Sequence, residues 1–419
     1  MTSRERVRAA LAHKTPDRVP VDFGSSTVTG MHVSVVGALR EHFGLERRPV
    51  KLLAPSSMLG SLDEDLLDAM GVDVIGLFPR NTSFGYPNEH WKEYRLPWGQ
   101  VVLVSGHFHT TTDVNGDLLT YPQGDTSAPP SGRMPVGGYY FDTIIRQGEL
   151  DEEQLNPEDN LEEFGPVSGE DLRYFQDEAT RLASSGRAVV AALGGTGFGD
   201  IAVVPGPGLK HPRGIRDITE WYVSTLTRQD YIHAIFARQC DLALYKLARV
   251  HAVVGDAIDV LYVCGTDFGT QESSFCSTDT FQKLWAPYYR RINDWVHRHT
   301  AWTAMKHCCG AVEPFMPHFI AAGFDVINPV QCSAAGMDPE TLKARYGDRL
   351  VFWGGGVDTQ HTLPFGTPEE VRAEVLERCE IFSRGGGFVF TAVHCVQANT
   401  PLANIIAMLD AVKEFNSIP

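Results

Sequence analysis

Eight apolar, β-rich runs recur along the chain, at residues 19–24, 72–78, 188–194, 258–265, 303–309, 326–330, 350–354 and 387–393. Each closes on glycine or polar residues, and most are followed by a helical pattern, the alternation expected of parallel βα units. Eight such units predict an α/β chain folded as a closed (β/α)8 barrel. An open doubly wound sheet is the alternative, but no G-x-G-x-x-G follows the first run, so its usual nucleotide signature is missing. About a hundred residues separate the second run from the third, too many for one crossover helix. The whole chain, residues 1–419, is therefore read as one barrel domain with a lid or rim subdomain inserted at about 80–187.

Inside that insertion, residues 107–112 and 117–121 flank Asn115-Gly116, a dipeptide that favours a type I′ hairpin turn. The acidic run 151–177 is expected to form one or two solvated helices. Trp285, Tyr288 and Tyr289 are spaced for packing between a helix and the barrel.

Charge and composition exclude several functions. Acidic residues outnumber basic ones by 52 to 36, for a formal charge of -16, so a nucleic-acid backbone is repelled. The N-terminus has no apolar segment behind its charges, and no stretch reaches the ~18 apolar residues of a membrane span. Eight cysteines, two of them adjacent at Cys308 and Cys309, fit reduced thiols and metal ligation better than a disulfide scaffold. A cytoplasmic protein with neither nucleic acid nor membrane as partner is expected.

Lys306-His307-Cys308-Cys309-Gly310 ends the fifth run, where barrel enzymes place catalytic groups. Strand side chains alternate faces, so His307 and Cys309 point one way and Cys308 the other. Imidazole and thiolate suit Zn²⁺, and a catalytic zinc takes three protein ligands with a fourth position open. The third ligand is sought at His394 or Cys395, at the end of the eighth run, only one of which can face the site. Asp267, at the end of the fourth run, reads as an acid/base, a substrate-binding group or a support for a ligand, or else as a helix N-cap. Asp22, Gln271, Asn328, Gln331 and Asp358, at or just beyond the strand ends, are candidate substrate-binding residues.

The segments 306–317, 322–331 and 352–358, the Gly385-Gly386-Gly387-Phe388 stretch, and the opening Arg4-x-Arg6-Val7 with Pro16-Asp17-Arg18-Val19-Pro20 together resemble the uroporphyrinogen decarboxylase superfamily. Its true decarboxylases carry an arginine-rich stretch after the first strand and a catalytic aspartate after the second. This chain instead reads Val21-Asp22-Phe23-Gly24 and Gly76-Leu77-Phe78-Pro79 there. Asp22 in place of arginines is ill suited to porphyrinogen carboxylates. The resemblance is closer to the zinc-dependent, corrinoid-linked methyltransferases, which have His-x-Cys at the fifth strand and a cysteine ligand near the last. Counting back from Thr400-Pro401 puts His394 in that last register, where the methyltransferases have cysteine and the decarboxylases histidine.

The resemblance implies Zn²⁺ on His307, Cys309 and His394 or Cys395, and methyl transfer between a methoxy, amine or thiol compound and a corrinoid. No Asp-x-His-x-x-Gly motif is present, so the corrinoid is expected on a separate partner protein. A homodimer is an assembly this reading leaves open. A metal-free decarboxylase or lyase acting on another carboxylate is the alternative function.

Overall fold

The computed structural model describes residues 1–417. Seven parallel strands form one sheet, ordered Val74–Leu77, Ala188–Ala191, Val260–Cys264, Thr303–His307, Val326–Asn328, Val351–Trp353 and Phe388–Val389. These are seven of the eight expected runs, shortened at their ends, in chain order. The first run pairs only at Val21, which bridges Phe390 in parallel on one side. On the other side the backbone oxygen of Val21 accepts from Asp73 N at 2.8 Å. Residues 19–23 thus bring the two edges of the curled sheet together, an arrangement compatible with a TIM-like barrel.

Alternation along the strands sorts their side chains into two buried layers. Val74, Val190, Val260, Met305, Val326, Val351 and Val389 pack together with Val7 and Ala10 of the helix Ser3–Leu11. That helix covers the end of the sheet from which the strands start. Ala304, Ile327 and Phe352 belong to the outer layer, packed with the surrounding helices. Trp285 and Tyr289 are buried in this outer layer, as their spacing predicts.

Asp73 ties the starting end together. It is fully buried and accepts from Arg6, Arg18, Ser3 and the backbone of Val21. With that end filled, chemistry is left to the end where the strands terminate.

Val74–Leu77 and Ala188–Ala191 are neighbours in the sheet, so everything between them is inserted or crosses over. The insertion holds the antiparallel strands Thr110–Thr112, Leu118–Thr120, Gly132–Met134 and Asp142–Thr143. A second small sheet joins Lys92–Arg95 and Val101–Val104 to Val50–Ala54, a strand the sequence reading did not anticipate.

The expected hairpin forms with Thr112 opposite Leu118, but its turn is not type I′. Such a turn needs positive φ at both central residues, and only Gly116 has it, at +88°. Asp113 organises the turn instead: its Oδ1 accepts from the backbone of Asn115 and Asp117.

The acidic run gives two short 3-10 turns and the helix Gly169–Ala183. Only one face of that helix is solvated. Leu172, Phe175, Ala179 and Leu182, at helical spacing, are buried.

Candidate metal centre

His307 is the last residue of the strand Thr303–His307, and Cys309 follows two residues later on the same face. Period-two alternation brings Cys309 Sγ to 3.3 Å from His307 Nε2. Beyond it, the chain turns sharply at Gly310, whose φ is +86° and where a Cβ would lie 2.4 Å from Thr270 O. Glycine is the residue that permits this close return.

His394 completes the cluster from a bend five residues beyond the last strand, Phe388–Val389. Its ring centroid is 5.5 Å from that of His307, and the ligand atoms of His307, Cys309 and His394 all lie within 4.8 Å of one another. Cys395 is not among them. Its thiol is buried and donates to Thr27 O at 3.0 Å. Cys308 is also turned away, and its Sγ accepts from Phe268 N.

Burial pushes the His307 imidazole down to about 4. Burial, then the neighbouring His307, does the same to His394. Both rings are therefore neutral near pH 7, the state in which histidine ligates. Burial and the Asp267 carboxylate push the Cys309 thiol well above its ordinary range. A cation would be needed to release its proton.

Asn328 fixes the orientation of His307. Its Nδ2 donates to Trp353 O at 2.8 Å, leaving Oδ1 to accept from His307 Nδ1 at 2.6 Å. The proton is thereby assigned to Nδ1, and the Nε2 lone pair faces Cys309. Asn328 thus orients the His307 ring, and it is buried to 1% exposure.

Asp267 does not cap a helix. The next helix, Thr278–Leu284, is capped by Ser277. Asp267 Oδ1 instead accepts from Cys309 N at 2.7 Å, and burial raises its pKa.

The other candidates serve the framework. Asp22 is fully buried, with Ser25 and the Trp353 indole as donors. Gln331 accepts from Gly310 N and donates to Gln271 and Gln360, fastening the loops behind Cys309. Asp358 accepts from the backbones of Gln360 and His361 ahead of the short helix Thr362–Phe365, so it caps a turn. Asp22, Gln331 and Asp358 are thus engaged by neighbouring backbone and side-chain groups, while Gln271 is exposed and accepts from Gln331.

Three residues at the site escaped the sequence reading. The Tyr262 ring lies 6.3 Å from that of His307. A Cβ on Gly265 would meet Tyr262 Oη at 2.6 Å and Asp200 Oδ2 at 3.0 Å, so hydroxyl and carboxylate converge beside this glycine. Burial, followed by the Asp267 charge, raises the Asp200 pKa. Lys306 points into the outer layer, over the Phe268 ring, and donates to the carbonyls of Thr266 and His307. The only sequence signal for any of them was the lysine beside His-x-Cys on an outward-facing position.

Fold and site together define a parallel α/β chain with side chains that could hold a metal ion gathered near where its strands end, the functional face of barrel enzymes. Residues 257–415 match the family model for uroporphyrinogen decarboxylase (URO-D). The uroporphyrinogen decarboxylase of Psychromonas ingrahamii is 32% identical over 96 residues, 22% of this chain and 26% of that protein. That of Coxiella burnetii is 27% identical over 89 residues, 20% of this chain and 24% of that protein. The matched segment thus spans about a quarter of these curated relatives. A methyltransferase from Methanosarcina mazei shares the fold over 99% of both chains, with a TM-score of 0.56 and 16% identity. The segment that matches the URO-D family model, residues 257–415, contains His307, Cys309 and His394.

Proposed function

We propose that this chain is a zinc-dependent methyltransferase of the URO-D superfamily, moving a methyl group between a small methylated compound and a corrinoid held by a separate protein. The observation that carries the reading is the convergence of His307, Cys309 and His394. Tetrahedral zinc, with Zn–N near 2.0–2.1 Å and Zn–S near 2.3 Å, sets nitrogen and sulfur donors roughly 3.6 Å apart. The 3.3 Å between His307 Nε2 and Cys309 Sγ fits that ion. Bound there, Zn²⁺ would supply a Lewis acid for a methoxyl oxygen, or hold a thiol acceptor as thiolate.

The chain's own groups have separate tasks in this reading. Asn328 keeps the His307 tautomer, Asp267 holds the backbone of Cys309 and offers a carboxyl for proton transfer, and the aromatic and aliphatic surroundings exclude water. The curled sheet with residues 19–23 is read as a (β/α)8 barrel, and the insertion as its lid. The methyltransferase identity of the Methanosarcina neighbour and the missing decarboxylase signatures support methyl transfer over decarboxylation.

The lyase alternative has one observation in its favour, the histidine at 394 in the decarboxylase register. Elemental analysis separates the two: about one zinc per chain, lost in His307→Ala, supports the first. A metal-free protein that releases CO2 from a carboxylate substrate supports the second.

A further inference from the structure

Asp200 is a half-buried carboxyl in the loop that follows the strand Ala188–Ala191, and it has no task so far in methyl transfer. Ala202 N donates to its Oδ1 at 2.9 Å and fixes the plane of the group. Its Oδ2 is turned to the neighbouring strand end, where a Cβ on Gly265 would meet it at 3.0 Å and the hydroxyl oxygen of Tyr262 at 2.6 Å. Glycine at 265 is what lets the two oxygens come so close to the backbone. Tyr262 packs against the inner layer of the sheet, with its ring 6.3 Å from that of His307. It therefore connects Asp200 to the metal centre.

A third oxygen belongs to the same group. Tyr222, on the helix Ile218–Thr227, stacks on Phe275 with ring centroids 5.0 Å apart. Its Oη is buried and has no hydrogen-bond partner among the described residues. Burial, then the charges of Asp267 and Asp200, pushes the Tyr222 hydroxyl up to about 12. It lies in the field of both carboxyls and keeps its proton near neutral pH.

The carboxyls that support the framework are held differently. Asp73 accepts from Arg6, Arg18, Ser3 and a backbone N–H, and Asp22 accepts from Ser25 and the Trp353 indole. Buried polar groups that only hold a fold together are paired in this way. Asp200 is approached by the backbone N–H groups of Ala202 and Gly265, and no side chain among the described residues donates to it. The charged groups facing it are the Asp267 carboxylate and the Lys306 ammonium. Tyr262, Tyr222, Tyr289 and Cys264 are its other titratable neighbours. Arg216 lines the same small cavity but is spent on Glu163 at 2.8 Å. Two carboxyls placed so close share one proton, and Asp200 is the one not tied to the backbone of Cys309.

We infer that Asp200 is a further catalytic residue, the group that hands a proton to the leaving atom of the methyl donor, with the Tyr262 hydroxyl beside it as a second donor. The inference rests on the methyltransferase reading. For a methyl ether, the oxygen–methyl bond breaks and a cobalt–carbon bond forms. Cob(I)alamin supplies the electron pair and ends as methylcob(III)alamin, while the ether oxygen keeps the pair of the broken bond. The Asp200 proton passes to that oxygen, and solvent returns a proton to Asp200 after the product leaves.

Infrared spectra of the metal-free chain at neutral pH should show protonated carboxyl C=O absorption, one component of which is lost in Asp200→Asn. Methyl transfer to cob(I)alamin is then followed with methoxybenzene and para-nitromethoxybenzene. Nitrophenolate leaves readily and needs little help from a proton. Asp200→Asn should keep about one zinc per chain and lower kcat about 100-fold for methoxybenzene, but less than about fivefold for the nitro ether. Tyr262→Phe keeps the ring and its packing. It should lower the first rate about tenfold and spare the second, and this contrast decides if Asp200→Asn does not fold.

Equal loss with both ethers, no loss with either, or an unchanged infrared band overturns the role of Asp200 while the methyltransferase reading stands. No transfer from either ether by the unsubstituted chain overturns the ether-cleaving reading itself, and the proton role with it.

Discussion

His307 Nδ1 donates to Asn328 Oδ1 at 2.6 Å, and this one bond decides which imidazole nitrogen faces Cys309. Asn328 can accept there because its amide nitrogen is spent on Trp353 O. Replacing Asn328 by Leu removes the acceptor without touching a ligand. Zinc affinity should fall about 10–100-fold, the usual effect of losing a partner that orients a ligating histidine. Competition against a chromophoric chelator measures it, and an unchanged affinity would mean that packing alone holds the ring.

The cysteines are expected to separate cleanly in a metal assay. Cys309→Ser should lose zinc, whereas Cys308→Ser and Cys395→Ser should keep about one equivalent, since their thiols face Phe268 N and Thr27 O. Zinc retained by Cys309→Ser but lost by Cys395→Ser would require a different arrangement of the strand ends.

Asp267→Asn preserves an oxygen for Cys309 N, the bond seen at 2.7 Å, and deletes the ionisable group. Zinc content should stay near one per chain while kcat falls about 100-fold or more, the range for a lost acid or base. Full activity in the variant would reduce Asp267 to a backbone anchor.

Acid should destabilise the metal-free protein through its buried histidines. His307 and His394 are held down to about 4, whereas an unfolded histidine titrates near 6.5. Between those values the unfolded chain binds protons that the folded chain excludes, so their contribution is full above pH 6.5 and is lost as pH falls toward 4. Urea midpoints across this window should drop, and His394→Gln should flatten the slope. An identical slope in the variant would assign the acid sensitivity elsewhere.

Asp73→Ala tests how the sheet edges are joined. The substitution strands the buried Arg6 guanidinium and frees Val21 N, for a loss of about 3–5 kcal/mol in urea unfolding. A loss below about 1 kcal/mol would show that residues 19–23 are held by their apolar contacts.

What the sequence disclosed follows from periodicity. Strand alternation alone put His307 with Cys309 and set Cys308 apart, and seven of the eight apolar runs are strands. The first is not, because only Val21 pairs, a matter of how residues 19–23 meet both edges rather than of propensity. The register argument favoured His394, and the distances agree. For Asp358 and Gln331, position near a strand end did not reveal that nearby backbone N–H groups donate to the side chain. Asp200 and Tyr262 were invisible because 62 positions separate them in sequence, and only the fold brings them to Gly265.

The cobalt spectrum of a corrinoid protein mixed with this chain is the most direct test of the central claim. With a methoxylated donor, zinc-loaded protein should convert cob(I)alamin to methylcob(III)alamin. Zinc-depleted protein and His307→Ala should not, and added zinc should restore the depleted enzyme alone. No change in cobalt state with methoxylated, methylated or thiol compounds, together with CO2 release from a carboxylate by zinc-free protein, would contradict the account.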